Sequence, residues 1–288
     1  MKQYNKNLTA YFLVLPSLTL FVLFFVIPIV ILISNAFYHY IPGVGIIRTF
    51  TLENFLKFVT EPFYFLMLLK TFAISSIVVI LSVIIGYPMA YFLARTKSRF
   101  KLLLTTVMLM PILVGGVIRA YGWQVILGNV GLINVTLMKL GLIDEPIKMM
   151  FTTGGVIIAL THVIVVFMVL PIMSVIKKID PALEEAAQDL GANRIKTFFK
   201  VTLPLSIPGI AAGSSLAFAV SVSAFVLPEL IGGAVVGMVG VEAAKQIINL
   251  LNWPFGAAIS AILVFVSLAI MFVYERLLQK SSIIRGYF

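Results

Sequence analysis

Residues 11–37 include no charged side chain, and that run limits what the chain can fold into. It is longer than the ~20 apolar residues a helix needs to cross a bilayer. A cleaved signal peptide has an apolar region of about 7–15 residues and a small-residue cleavage site. This run is longer and has no such site, so it reads as a retained transmembrane helix. Pro16 and Pro28 are expected to bend it. Comparable runs recur at about 67–94, 102–127, 153–176, 207–231 and 253–278, which makes six expected spans. A kink is expected at Gly86-Tyr87-Pro88.

Composition agrees with that count. The 288 residues are 61% hydrophobic and only 11% charged, with a mean hydropathy of +1.12, whereas soluble domains carry about a quarter charged residues. The net charge of +10 is spread over the loops and not gathered into a patch, so it points to membrane orientation and not to nucleic acid. There is no cysteine, which excludes a disulfide framework, thiol catalysis and a thiolate metal site. The two histidines, His39 and His162, are far apart, and no metal site is expected. The spans carry no H-E-x-x-H, G-x-S-x-G or acid pair, which leaves a membrane-embedded enzyme as the weaker alternative. A phosphate-binding Gly-Lys-Ser/Thr motif is absent too, so any ATP must be bound by another subunit.

The connections have character of their own. Residues 38–66 are expected to lie in the interface, with a short helix capped by Thr51 that sets Phe55, Phe58 and Val59 on one side. Residues 132–140 read as a short helix stopped by Gly141, followed by a turn through Asp144-Glu145-Pro146. A glycine-rich stretch after the fifth run leads to an amphipathic helix over 241–251, and Asn252-Trp253-Pro254 starts the last span.

The longest polar interruption is 177–204, KKIDPALEEAAQDLGANRIKTFFKVTLP. Asp180-Pro181 is a helix start, with Asp as N-cap and Pro at the first position. Glu184 and Glu185 fall in the early turns, where the helix dipole favours negative charge. Gly191 is placed to end this helix and Asn193 to cap the next. The spacing predicts two short helices joined by a turn at the membrane surface.

Glu185-Ala186-Ala187, Gly191, Val201 and Leu203-Pro204 stand at the spacing of the EAA loop, and the segment resembles that of ABC importer permeases; Val201 stands where Ile is usual. Gly86-Tyr87-Pro88, residues 118–123, residues 144–147 and residues 252–257 extend the resemblance to the spermidine/putrescine permease group, which also serves other small charged solutes. The resemblance implies an all-α type I ABC importer transmembrane domain, with a coupling helix between spans four and five. It divides the chain into a first helix and external segment (1–66), the permease domain (67–278) and a short cytoplasmic tail (279–288). It also implies that Glu185, Ala186, Ala187 and Gly191 dock on an ATPase subunit; by charge, Glu184 or Glu185 is expected to pair with a base there. The expected partners are two ATPases that bind ATP and Mg, a second related permease in a heterodimer, an extracytoplasmic solute-binding protein and membrane lipid. The chain itself would hold no cofactor and catalyse nothing.

The cargo is less constrained. Ionisable groups inside a membrane cost roughly 2.5–3.5 kcal/mol on insertion scales and tend to mark pathways. Glu229 would suit a cationic amine or act as a solvated helix-end carboxylate. Trp123 and Tyr121 offer cation–π faces or interfacial anchors. His162 serves helix packing or the pore. Arg119 would repel amines and favour carboxylates or phosphonates unless it pairs with Glu229. A polyamine is the favoured cargo; an amino-acid-like, phosphonate or carboxylate solute, or a self-sufficient secondary carrier, remains open.

One set of loops and ends carries twice as many Lys and Arg residues as the other. That bias puts both termini and residues 177–204 in the cytoplasm of a bacterial plasma-membrane protein. The cysteine-free chain makes this directly testable. Ala187→Cys should react with an impermeant maleimide only from the cytoplasmic side, and Glu145→Cys only from outside; the reverse pattern would invert the orientation.

Overall fold

The computed structural model describes residues 6–280. Residues 1–5 and the tail from 281, on which part of the charge bias rests, lie outside the described residues. The chain divides into two compact units, residues 1–62 with 242–262 and residues 63–241 with 263–288.

In the first unit the opening apolar run forms α1 (Lys6–Phe21), a π-helical turn (Val22–Val26) and α2 (Ile27–Asn35). Pro28 has no N–H, and its ring would crowd the carbonyl four residues back. The wide turn just before it relieves that crowding, with Ile27 N donating to Val22 O. A β-hairpin follows, β1 (Tyr38–Ile41) antiparallel to β2 (Gly45–Phe50), with His39 opposite Ile47 and Tyr40 opposite Ile46. This short hairpin is a local insertion that the expected interfacial segment over 38–66 did not include, in a chain otherwise built of helices. Helix α3 (Glu53–Thr60) begins as expected, with Thr51 Oγ1 accepting from Glu53 N at 3.1 Å. Phe55, Phe58 and Val59 lie on one side of the helix at i, i+3 and i+4; Phe58 is buried there, Phe55 half-buried and Val59 exposed. Asn54 takes the inward position, donating from Nδ2 to Ala36 O and Tyr38 O.

The second unit holds α4 (Pro62–Arg95), which runs through Pro88 unbroken, then α5 (Lys101–Leu113), α6 (Gly116–Leu127) and α7 (Leu132–Lys139). The expected third span is broken at Val114-Gly115, where Lys101–Leu113 and Gly116–Lys139 meet at 102°. Buried Asn134 clips the end of this region, donating to Gly128 O and Ile147 O and accepting from Ile147 N. Next come α8 (Thr153–Lys178), α9 (Pro181–Asp189), α10 (Arg194–Thr197), a π turn (Phe198–Thr202) and α11 (Leu203–Val222). The fifth span is shifted from its expected 207–231: it begins at Arg194, passes through the π turn ahead of Pro204, and ends at Val222. A short π turn (Pro228–Gly232) and a 3-10 turn (Gly233–Val235) follow.

The last elements are α12 (Val239–Ala244), a π turn (Lys245–Asn249) and α13 (Trp253–Lys280), with Asn252 Oδ1 accepting from Phe255 N at the start of α13. Among the described residues five helices are long and apolar enough to cross a membrane. Two bent pairs, Lys101–Leu113 with Gly116–Lys139 and Pro228–Val235 with Val239–Asn249, bring the number to as many as seven if each is one span, a range that contains the expected six.

The core of the second unit is built on α8. Leu160, Ile164, Met168, Ile172 and Ile176 recur every four residues and are all buried. Helix α11 meets this stripe through Gly209 and Gly213. A Cβ on Gly209 would lie 3.0 Å from Ile172 Cα, and one on Gly213 would lie 2.9 Å from Met168 Sδ and 3.1 Å from Met168 O. Small residues four apart let two membrane helices approach to backbone contact. Gly213→Leu should therefore destabilise the detergent-solubilised protein by about 1–3 kcal/mol, the usual cost of overpacking. Leu216→Ala, at an exposed position on the same helix, should leave thermal unfolding near that of the parent.

Candidate functional site

The polar loop folds as its sequence requires. Asp180 Oδ1 accepts from Ala182 N at 3.0 Å, and Pro181 occupies the first turn of α9. The helix ends with Gly191 at φ +85°, Gly191 N donating to Gln188 O (2.9 Å) and Ala192 N to Ala187 O (3.0 Å). That pair of bonds is a Schellman closure, whose left-handed residue favours glycine. Asn193 Oδ1 then caps α10 by accepting from Lys196 N at 2.8 Å.

The five loop residues separate by exposure. Glu185, Ala186 and Gly191 are exposed, and Ala187 is half-buried. Around them the loop presents Leu183, Leu190, Ile195 and Phe199 to the outside, Leu190 at 90% exposure. Glu184 behaves differently. Its side chain is 15% exposed and 2.8 Å from Arg95 Nη2. It also accepts from Thr202 Oγ1 at 3.0 Å and, at 3.4 Å, from Tyr91 OH. Of the two carboxylates offered for docking, Glu184 is thus committed within the chain and Glu185 is free to meet a partner. A cavity of about 530 Å³ lies beside this cluster, lined by Gln188, Arg194, Ile195 and Phe198 among others.

The intramembrane candidates fall into three places. Arg119 and Trp123, four residues apart on α6, share a face, and the Trp123 ring stands edge-on to His162 of α8 at 5.5 Å. Tyr121 is on another face and exposed. Glu229 is exposed on the Pro228–Gly232 turn. The ion pairs among the described residues are His39–Glu53, Arg95–Glu184 and Glu242–Lys245, so Arg119 and Glu229 are not paired. Arg119 Nη2 donates instead to Val114 O, a carbonyl freed where α5 breaks from α6. Its buried Nε has no partner, and the residue lines a cavity of about 260 Å³ with Leu160, Val163, Ile164 and the 223–227 segment.

Two features escaped sequence reasoning. Arg95 opens a run of bases that signalled orientation, with nothing local to announce its pairing with Glu184. Glu242, in the expected amphipathic helix, is 8% exposed and accepts from Gln246 Nε2 at 2.7 Å. Its burial beside a neutral amide is the signal that sets it apart.

Residues 79–282 match the family described as binding-protein-dependent transport system inner membrane component. The chain belongs to that family. It is 37% identical over 262 residues to the spermidine/putrescine transport system permease protein PotB of Escherichia coli (strain K12), covering 90% of this chain and 95% of that relative. It is 29% identical to the inner membrane ABC transporter permease protein YdcU of the same organism, over 94% of this chain and 90% of that one. Its fold matches a crystal structure of a bacterial ABC transporter involved in the import of the acidic polysaccharide alginate, with TM-score 0.76 and 17% identity over 96% of this chain and 97% of that chain. A second alginate transporter structure, in complex with an alginate pentasaccharide-bound periplasmic protein, matches with TM-score 0.74 and 18% identity over 97% and 98%.

The permease is thus a multi-pass plasma-membrane subunit with the type I importer fold. It works with ATPase subunits and a binding protein, and ATP hydrolysis belongs to the separate subunits. Because Arg119 secures the α5–α6 break and Glu229 is exposed and unpaired, their removal should differ. Arg119→Gln should lower stability in detergent by about 1.5–3 kcal/mol, as expected for a lost charged hydrogen bond. Glu229→Gln should leave it unchanged; equal losses would indicate a structural tie at Glu229 as well.

Proposed function

We propose that the chain is one of two permeases in an ATP-driven polyamine importer, carrying spermidine- or putrescine-like solutes inward. The observation that supports this cargo is the 37% identity, over 90% of the chain, with a spermidine/putrescine permease. In this reading residues 177–204 and both termini face the cytoplasm. Glu185, Ala186, Ala187 and Gly191 seat α9 in a cleft of an ATPase that binds ATP and Mg, where the small alanines allow close approach and Glu185 meets a base. The exposed Leu183, Leu190, Ile195 and Phe199 give that contact its apolar area. Six spans enclose too little for a complete path, which favours a heterodimer with a related second permease. ATP binding closes the ATPases and draws the two loops together, opening the cavity outward to the loaded binding protein; hydrolysis lets it reopen inward.

Glu229 and the aromatic pair of Trp123 with His162 are the residues we assign to the path, with Tyr121 at its exposed margin. An acidic group and an aromatic face both favour an ammonium. A second reading has one observation in its favour. The unpartnered Nε of Arg119 lies in a residue that lines a cavity, and a cation there favours a carboxylate or phosphonate. Uptake by the reconstituted complex decides between them: labelled spermidine or putrescine should accumulate with ATP, and small carboxylates or phosphonates should not compete. Ala187→Arg should abolish co-purification of the ATPase and reduce uptake to background. Retention of both would rule out docking through this loop.

A further inference from the structure

The coupling loop is fastened to more than the two helices it joins. Arg95, the last residue of α4, reaches the start of the loop by two bonds: Nη2 to Glu184 Oε1 at 2.8 Å and Nη1 to Ile179 O at 3.0 Å. The same Glu184 oxygen accepts from Thr202 at 3.0 Å, in the π turn that leads into α11. The cluster is shielded: the Arg95 and Glu184 side chains are 20% and 15% exposed. Phe198 adds an aromatic wall, edge-on to Tyr87 at 5.4 Å and to Tyr91 at 6.2 Å. One carboxylate therefore gathers α9, the end of α4 and the start of α11.

We propose that Arg95–Glu184 is a latch that carries displacement of α9 into α4 as well as α11, making Arg95 a positioning residue for energy coupling. The proposal rests on the docking of α9 to the ATPase. A charged hydrogen-bonded pair sheltered from water is strong and directional, so α4 follows α9 as one body. Without it α9 remains attached through the chain to α8 and α10 only, and α4 loses its charged hold on the loop. Glu185, exposed on the same helix, has no part in the latch.

The test uses the whole complex in proteoliposomes, with its ATPases and binding protein, and reads solute moved per ATP hydrolysed. Glu184→Gln and Arg95→Gln should keep the ATPase bound and hydrolysing while this ratio falls about tenfold, an ordinary size for coupling between sites. The exchanged pair R95E with E184R should recover most of the loss, as expected for two side chains acting on each other. A parental ratio in both single variants overturns the latch. So does an exchanged pair no better than the singles, including the case where the singles fail to assemble. If the singles fail to assemble and the exchange restores both assembly and ratio, the latch stands. Ala187→Arg is measured alongside: a variant that still holds its ATPase overturns the docking reading by itself, whatever the ratio shows for Arg95 and Glu184.

Discussion

Backbone amides and carbonyls have no water to turn to inside a bilayer, and each one left unpaired costs several kcal/mol. Among the described residues, the breaks at Val114 and between Leu230 and Val239 are placed where a side chain or neighbouring backbone answers for them. The segment between Leu230 and Val239 shows this most fully. Gln124 of α6 donates to Leu230 O, Phe151 N donates to Ile231 O, Lys70 Nζ donates to Val235 O, and Thr71 Oγ1 accepts from Val239 N. Helices α4 and α6 and the approach to α8 thus converge on one irregular stretch. Their arrangement is set as much by this obligation as by apolar contact.

Apolar contact dominates elsewhere. Helix α8 carries a continuous buried stripe, and α11 lies against it at backbone distance through Gly209 and Gly213. The loop between these two helices is therefore flanked by packing of α8 against α11 at backbone distance. Tyr87 OH and Ser206 Oγ, 2.8 Å apart and buried, add a polar tie between α4 and α11.

Features governed by local chemistry were legible in the sequence. Asp180, Pro181, Gly191 and Asn193 act within two to five positions of themselves, so their residue types foretold the helix start, the Schellman closure and the second cap. Gly141 and Asn252 were legible for the same reason. What could not be read depended on distant partners: Glu184 meets a guanidinium 89 positions earlier in the chain. Arg119 was tied to no distant acid; a helix break nearby freed a carbonyl within its reach. The hairpin was hidden because β1 is four residues long, too short for alternation to stand out beside aromatic residues that suit an interface equally well.

The π turn at Phe198–Thr202 fixes a bearing. A regular helix turns about 100° per residue, so absorbing one extra residue in a single turn rotates everything before it, relative to everything after, by about that amount. Thr202 closes the turn, and Thr202, Ser206, Gly209 and Gly213, at i, i+4, i+7 and i+11, lie on one buried side of the helix that follows. The wide turn thus works as a phase shifter between α10 and α11, resetting the bearing of the loop just before that buried side begins.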